Sequence, residues 1–182
     1  TDNSEGTGPQ EDKSEDDLQR MRERLDESGS ANIEALEEII AYYFEREQYA
    51  ESLHYIDRLL EYLPCSGETW QRKGTALHHL QRYREALAAF DQALLFNPVD
   101  SELLLNRGLT LDYLGEYEEA LACFERVLQL DNADEEGLFG KGIIFEKLER
   151  YNESVSVFCH IIENNPGHKE AWYELGYCYD CL

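Results

Sequence analysis

One period governs this chain: a set of landmark residues returns every 34 positions. Residues 67–100 show it most completely, with Trp70, Gly74, Tyr83, Ala86, Phe90 and Pro98 as markers. One period later Gly108, Tyr117, Ala120 and Phe124 hold the corresponding places, and the next brings Gly142, Tyr151, Phe158 and Pro166. One period earlier the frame finds Tyr49 and Pro64. A fixed period of this size means short supersecondary units that bury their apolar faces only by stacking on one another. The frame runs without insertion through 33–66, 67–100, 101–134 and 135–168, and closes on a half unit, 169–182.

Each unit reads as two helices. In 101–134, Leu104, Arg107, Gly108 and Leu111 share one helical face, Gly115 and Glu116 break the pattern, and Ala120, Phe124 and Val127 form a second stripe. Gly108 and Ala120 let the two helices approach closely, and Phe124 supplies the large buried surface between them. Pro98 and Pro166 end the second helix of their units, since proline lacks a donor and disfavours helix before it. Taken in order, these Trp, Gly, Tyr, Ala, Phe and Pro positions resemble the tetratricopeptide repeat across residues 33–182. The resemblance implies an all-α, right-handed solenoid of stacked antiparallel helix pairs. The departures are local. Ile40 and Ser52 replace the small pair in the first repeat, which is expected to be the loosest, Asn132 replaces Pro in the third, and Ser154 replaces Ala in the fourth. Lys73, Arg107 and Lys141 occupy the usual Leu place, where their stems can cover apolar surface while the heads reach water.

Charge narrows the partners. Asp+Glu 39 against Lys+Arg 16 gives a formal charge of -23, which repels phosphate backbones and anionic membrane surfaces and favours basic or apolar protein partners over nucleic acid or membrane. No apolar run approaches the length of a membrane span, and no signal-peptide pattern opens the chain, although it begins with Thr, so a removed leader is left open. The five cysteines are odd in number and irregular in repeat position, unlike a disulfide framework, so a reducing cytoplasm is the expected setting. Cys178 and Cys181 form a lone C-x-x-C without a second pair, read as ordinary helix positions rather than a metal site. Residues 1–32 read as an acidic, largely disordered tail. Within it 1–17 carry no residue for a core, while Leu18, Met21 and Leu25, preceded by Ser14 and Asp17 in a capping box, predict a short helix ending at Ser28, Gly29 and Ser30. That helix is placed to cap the first repeat.

Nothing in the chain has the spacing of a catalytic constellation, and no cofactor or metal is expected. His78 and His79 are adjacent, point to different sides of a helix and read as ordinary surface histidines. More informative are positions 2, 5, 9 and 12 of each unit, which share a face opposite the glycine stripe. The family resemblance makes this face the lining of a concave peptide-binding groove. It reads Glu68, Gln71, Thr75 and His78; then Glu102, Leu105, Leu109 and Asp112, with Asn106 alongside; then Glu136, Phe139, Ile143 and Glu146; and in the half unit Glu170, Tyr173 and Tyr177. Leu105, Leu109, Phe139 and Ile143 either contact a ligand or pack neighbouring repeats together, and the acidic residues around them favour ligand contact.

One branch of the family clamps carboxylate tails with Lys or Arg and Asn on this face. Here the matching places hold Gln71, Thr75, Asn106, Glu136 and Gly140, so an acidic tail would be repelled. The expected ligand is a peptide or helix with apolar anchors and basic flanks. An escort that shields an apolar client segment, and the regulatory repeat arm of a larger enzyme, are the alternatives. In the last half unit Trp172, Leu175, Gly176 and Tyr179 repeat the buried face of a first helix with no second helix to cover it, so self-association there, or a longer solenoid, is expected.

Overall fold

A computed structural model describes residues 14–27 and 33–182, and the described residues form ten helices and no strand. These are α1 (Glu15–Glu27), α2 (Ile33–Glu45), α3 (Tyr49–Tyr62), α4 (Gly67–His79), α5 (Tyr83–Phe96), α6 (Ser101–Leu114), α7 (Tyr117–Leu130), α8 (Glu135–Lys147), α9 (Tyr151–Asn164) and α10 (Lys169–Asp180). The expectations for residues 1–13 and for Ser28, Gly29 and Ser30 lie outside the described residues. No helix among the described residues is long and apolar enough to cross a membrane.

The period sets the punctuation as well as the helices. The last residue of each unit caps the first helix of the next: Ser66, Asp100, Asp134 and His168 accept backbone N–H groups of Thr69, Leu103, Gly137 and Ala171 at 3.2, 2.9, 2.7 and 3.2 Å. Between the two helices of each unit, one residue turns left-handed: Glu47, Gln81, Gly115 and Glu149, with φ of 55, 59, 75 and 58°. Glycine takes this conformation freely, whereas each of the other three gives up roughly 1 kcal/mol.

The chain divides into two compact units, residues 1–62 and 63–182. In the first, α1 packs on α2, and α2 pairs with α3. Leu18, Met21 and Leu25 are buried, and Ser14 and Asp17 cap one another, so the helix begins at Glu15, ahead of Leu18. Arg22 donates to the hydroxyls of Tyr43 and Tyr55, whose rings stack 5.7 Å apart. Ile40 and Ser52 are fully buried, and Ile56 stands where the later units carry Phe. Bulk has moved from the second helix to the first, and the Ser52 hydroxyl donates to Tyr49 O at 2.8 Å.

In the second unit α4–α5, α6–α7 and α8–α9 are paired, with α10 on α9. The first helices α4, α6, α8 and α10 touch in succession, forming one layer with the second helices behind it. Glycine permits the pairing: a Cβ at Gly74 would lie 2.5 Å from Phe90, at Gly108 3.0 Å from Phe124, and at Gly142 2.7 Å from Phe158. Phe124 also packs forward, since a Cβ at Gly140 on α8 would lie 2.6 Å from its ring. Ser154 replaces alanine without leaving a stray donor: its hydroxyl donates to Gly142 O at 2.9 Å and accepts the Cys178 thiol at 3.2 Å. Arg107 reaches Asp91 at 2.8 Å and Lys141 reaches Glu125 at 3.1 Å, the same pair one period apart, linking each first helix to the preceding second helix. These pairs are partly exposed and fix register more than they add stability.

Candidate functional site

Where α6 and α8 lie side by side, their outward faces leave a trough of about 580 Å³. Leu105 and Leu109 line it from α6 and Phe139 and Ile143 from α8, the four apolar residues singled out by their spacing. Their exposures differ. Leu105 is 9% exposed and belongs to the core, whereas Leu109 is 42% exposed and stands clear of it. Phe139 and Ile143 are half-buried and pack against the Phe158 cluster, with the Phe139 ring 5.7 Å from Phe158. Ligand contact and packing between repeats are therefore not alternatives at Phe139, because one side of the ring closes the core and the other lines the trough.

Gly140 is the residue that opens the floor. With no side chain there, α8 settles onto Phe124, whose ring edge reaches the trough. Tyr113 closes one end, 63% exposed and stacked 4.8 Å from Tyr83. At the other end the His168 ring stacks on Phe139 at 5.2 Å; its Nδ1 accepts the Ala171 N–H, and its Nε2 faces Glu135 at 3.7 Å. Gly140, Tyr113, Glu135, Lys147 and His168 all line the trough and were absent from the spacing argument, which followed positions 2, 5, 9 and 12 only. Positions 1, 6 and 13 would have found four of them. A helix lying against its neighbour presents the residues flanking its central stripe as well.

The acidic edge is smaller than the sequence implies. Asp112 accepts from Lys147 Nζ, 2.7 Å from Oδ2, and is neutralised. Glu135 accepts from Asn165 at 3.1 Å. Glu146 lies away from the trough against Glu174, and its Oε2 is sealed from solvent without a partner. Burial, then the Glu174 charge, pushes its carboxyl up to about 7. Glu136 on the lining and Glu102 beside it are exposed, and no ion-pair partner faces them among the described residues.

The remaining predicted residues lie outside the trough. Thr75 turns its hydroxyl back to Gln71 O at 3.1 Å. His78 is no surface histidine: its Nδ1 donates to Thr110 Oγ1 at 2.8 Å, because that hydroxyl is itself donating to Asn106 O at 2.7 Å. Rings of Tyr83 and Tyr113 flank His78, each 5.3 Å away, and burial first, then His79, holds its pKa below the usual imidazole value. Asn106 is thus tied into this network through its carbonyl. Tyr173 and Tyr177 stand exposed on α10, 73% and 47%, and do not reach the trough.

A solenoid of paired helices with a glycine–phenylalanine seam at this period defines a class, and the chain is a tetratricopeptide-repeat protein. Family models of the tetratricopeptide repeat match residues 67–98 and 101–133. Among solved structures, a tetratricopeptide repeat protein from Parabacteroides merdae is 18% identical over 91% of this chain and 65% of its own, with a TM-score of 0.83. MamA from Desulfovibrio magneticus RS-1 is 18% identical over 85% of this chain and 87% of its own, with a TM-score of 0.78. YrrB, described as a TPR protein with an unusual peptide-binding site, is 22% identical over 90% of this chain and 84% of its own, at 0.74. Identities this low establish the shared fold. No curated protein matches by sequence.

Proposed function

We propose that the chain is a non-catalytic protein-interaction scaffold whose trough between α6 and α8 binds a peptide or helix with apolar anchors and basic flanks. One observation carries this reading: an apolar trough of about 580 Å³ with Glu136 and Glu102 unpaired at its side, on a chain of formal charge -23. Apolar burial supplies the affinity, and the two carboxylates supply orientation and association rate. Likeness to YrrB, whose description includes a peptide-binding site, is consistent with it.

Leu109 isolates binding from folding, because it is 42% exposed and outside the core clusters. Fully burying a leucine contributes about 1.5–3 kcal/mol, so covering its remaining exposed surface contributes roughly 1 kcal/mol, about fivefold in Kd. Peptides selected from a displayed library should carry apolar residues beside Lys or Arg. They should lose about that factor on Leu109→Ala through faster dissociation, while Glu102→Gln with Glu136→Gln slows association and flattens its salt dependence. Selected peptides that are acidic, or that bind Leu109→Ala unchanged, rule the reading out.

A further inference from the structure

The first helices of this chain share a packing code, and α10 carries it uncovered. Position 8 of the unit is Gly74, Gly108 and Gly142 in α4, α6 and α8, each buried under a Phe ring of the second helix. Position 11 is Leu77, Leu111 and Phe145, exposed by 2, 1 and 6%. In α10 the same positions are Gly176, where an added Cβ meets nothing within 4 Å, and Tyr179, which is 57% exposed. Trp172, at the place of the half-buried Trp70, is 53% exposed. It is nonetheless held as Trp70 is: Trp172 Nε1 donates to Pro166 O at 3.1 Å, and Trp70 Nε1 to Pro64 O at 2.9 Å. The α10 face is therefore pre-shaped for a covering helix, where an end helix facing water would show a polar surface.

The same internal repetition specifies what fits. Each covering helix presents a small residue, a Phe four residues on and a small or aliphatic residue three further: Ala86, Phe90 and Ala93; Ala120, Phe124 and Val127; Ser154, Phe158 and Ile161, all at most 1% exposed. Within these residues every copy of that pattern, including Ser52, Ile56 and Leu59 of α3, is already buried, so a second folded copy has none to offer. The charge of -23, with Glu170 and Asp180 exposed on α10 itself, selects against a helix with an acidic outer face.

We propose that the Trp172–Gly176–Tyr179 face of α10 docks an amphipathic helix of a separate partner protein, one that carries a small residue four before a Phe on its buried face and Lys or Arg on its outer face. The Phe ring sits over Gly176 as Phe158 sits over Gly142, with Trp172 and Tyr179 on either side. This site is independent of the trough between α6 and α8.

Gly176→Leu tests it cleanly, because the added side chain enters open space in the free chain yet occupies the place of the incoming ring. The probe is a hydrocarbon-stapled peptide of the α7 sequence, Tyr117–Leu130, carrying Glu118→Lys, Glu119→Lys and Glu125→Lys, with its helicity verified by circular dichroism. It should bind saturably, with a change in Trp172 emission, and lose at least about tenfold in affinity to the Gly176→Leu chain. A Phe124→Ala version of the peptide should lose as much. A helical peptide that does not bind overturns the proposal, as does binding indifferent to Gly176→Leu. Binding lost with Leu109→Ala but kept with Gly176→Leu puts the peptide in the trough instead. A dimer of the free chain that Gly176→Leu dissociates makes a second copy the occupant. A Gly176→Leu chain that melts below wild type shows the face already covered within the chain. Each of these also overturns it.

Discussion

Alanine substitution at equivalent glycines should change sign along the solenoid. In a helix interior, Gly→Ala contributes about 0.5–1 kcal/mol of stability by itself, because glycine loses more backbone freedom on folding. Against that stands the ring opposite. At Gly74 the new Cβ would lie 2.5 Å from both Cδ1 and Cε1 of Phe90, and at Gly142 2.7 Å from Phe158. Both rings are fully buried and cannot swing away, so overpacking costs roughly 1–3 kcal/mol and the net loss is about 1–2 kcal/mol. At Gly108 the nearest ring atoms are 3.0 Å away, so a shift of a few tenths of an ångström suffices and the two terms nearly cancel. At Gly176 nothing opposes the gain. For a unit of this size each kcal/mol moves Tm by about 3–4 °C. Thermal melts should rank Gly176→Ala above wild type, Gly108→Ala near it, and Gly142→Ala and Gly74→Ala several degrees below. If Gly176→Ala destabilises as much as Gly74→Ala, the account of a shared seam with one open position is wrong.

Two further outcomes follow from buried polar groups. Glu146 holds its proton to about pH 7 in the folded chain against an ordinary value of 4.5, so the folded state binds more protons than the unfolded state in that window, and stability falls as pH rises through it. Glu146→Gln should therefore flatten the decline of Tm between about pH 4.5 and 7 and raise Tm at its upper end, and an unchanged pH profile would refute the shared-proton account. Ser154→Ala should cost about 0.5–1.5 kcal/mol through its two lost hydrogen bonds, whereas Ser154→Leu should cost more by prying α9 from Gly142, the two being compared by urea denaturation.

Much of the fold was legible because the period repeats the same physical solution. Gly108, Ala120 and Phe124 announce two helices meeting closely, and the measured approach of Gly74, Gly108 and Gly142 to their rings is that arrangement three times over. Less legible was compensation between positions. Ile40 and Ser52 read as a weak seam when each is compared with its own column, but Ile56 had given up the volume that Ile40 took. The capping residue was likewise hidden in the column that ends each unit, since Ser66, Asp100, Asp134 and His168 share no single residue type. They share only an acceptor atom within reach of the third N–H of the next helix.

The trough was half legible, and the missing half has one cause. Spacing along a helix assigns a face, but charge in a trough depends on what crosses from the neighbouring helix, and those partners lie far off in sequence. Asp112 and Lys147 are 35 residues apart, Glu135 and Asn165 30, and neither pair follows from the pattern of a single unit. An acidic rim of four carboxylates shrinks in this way to Glu102 and Glu136, both on the first turns of α6 and α8. A basic flank is therefore drawn to one end of the trough rather than along it, while Lys147, bound to Asp112, stands at the opposite end of α8. The occupant is thereby given a direction: its basic residues lie beside the helix starts and its apolar anchors run from Phe139 toward Leu109 and Tyr113. Reversing a bound peptide's sequence would bring its cations toward Lys147, and the lost attraction would appear first in the association rate.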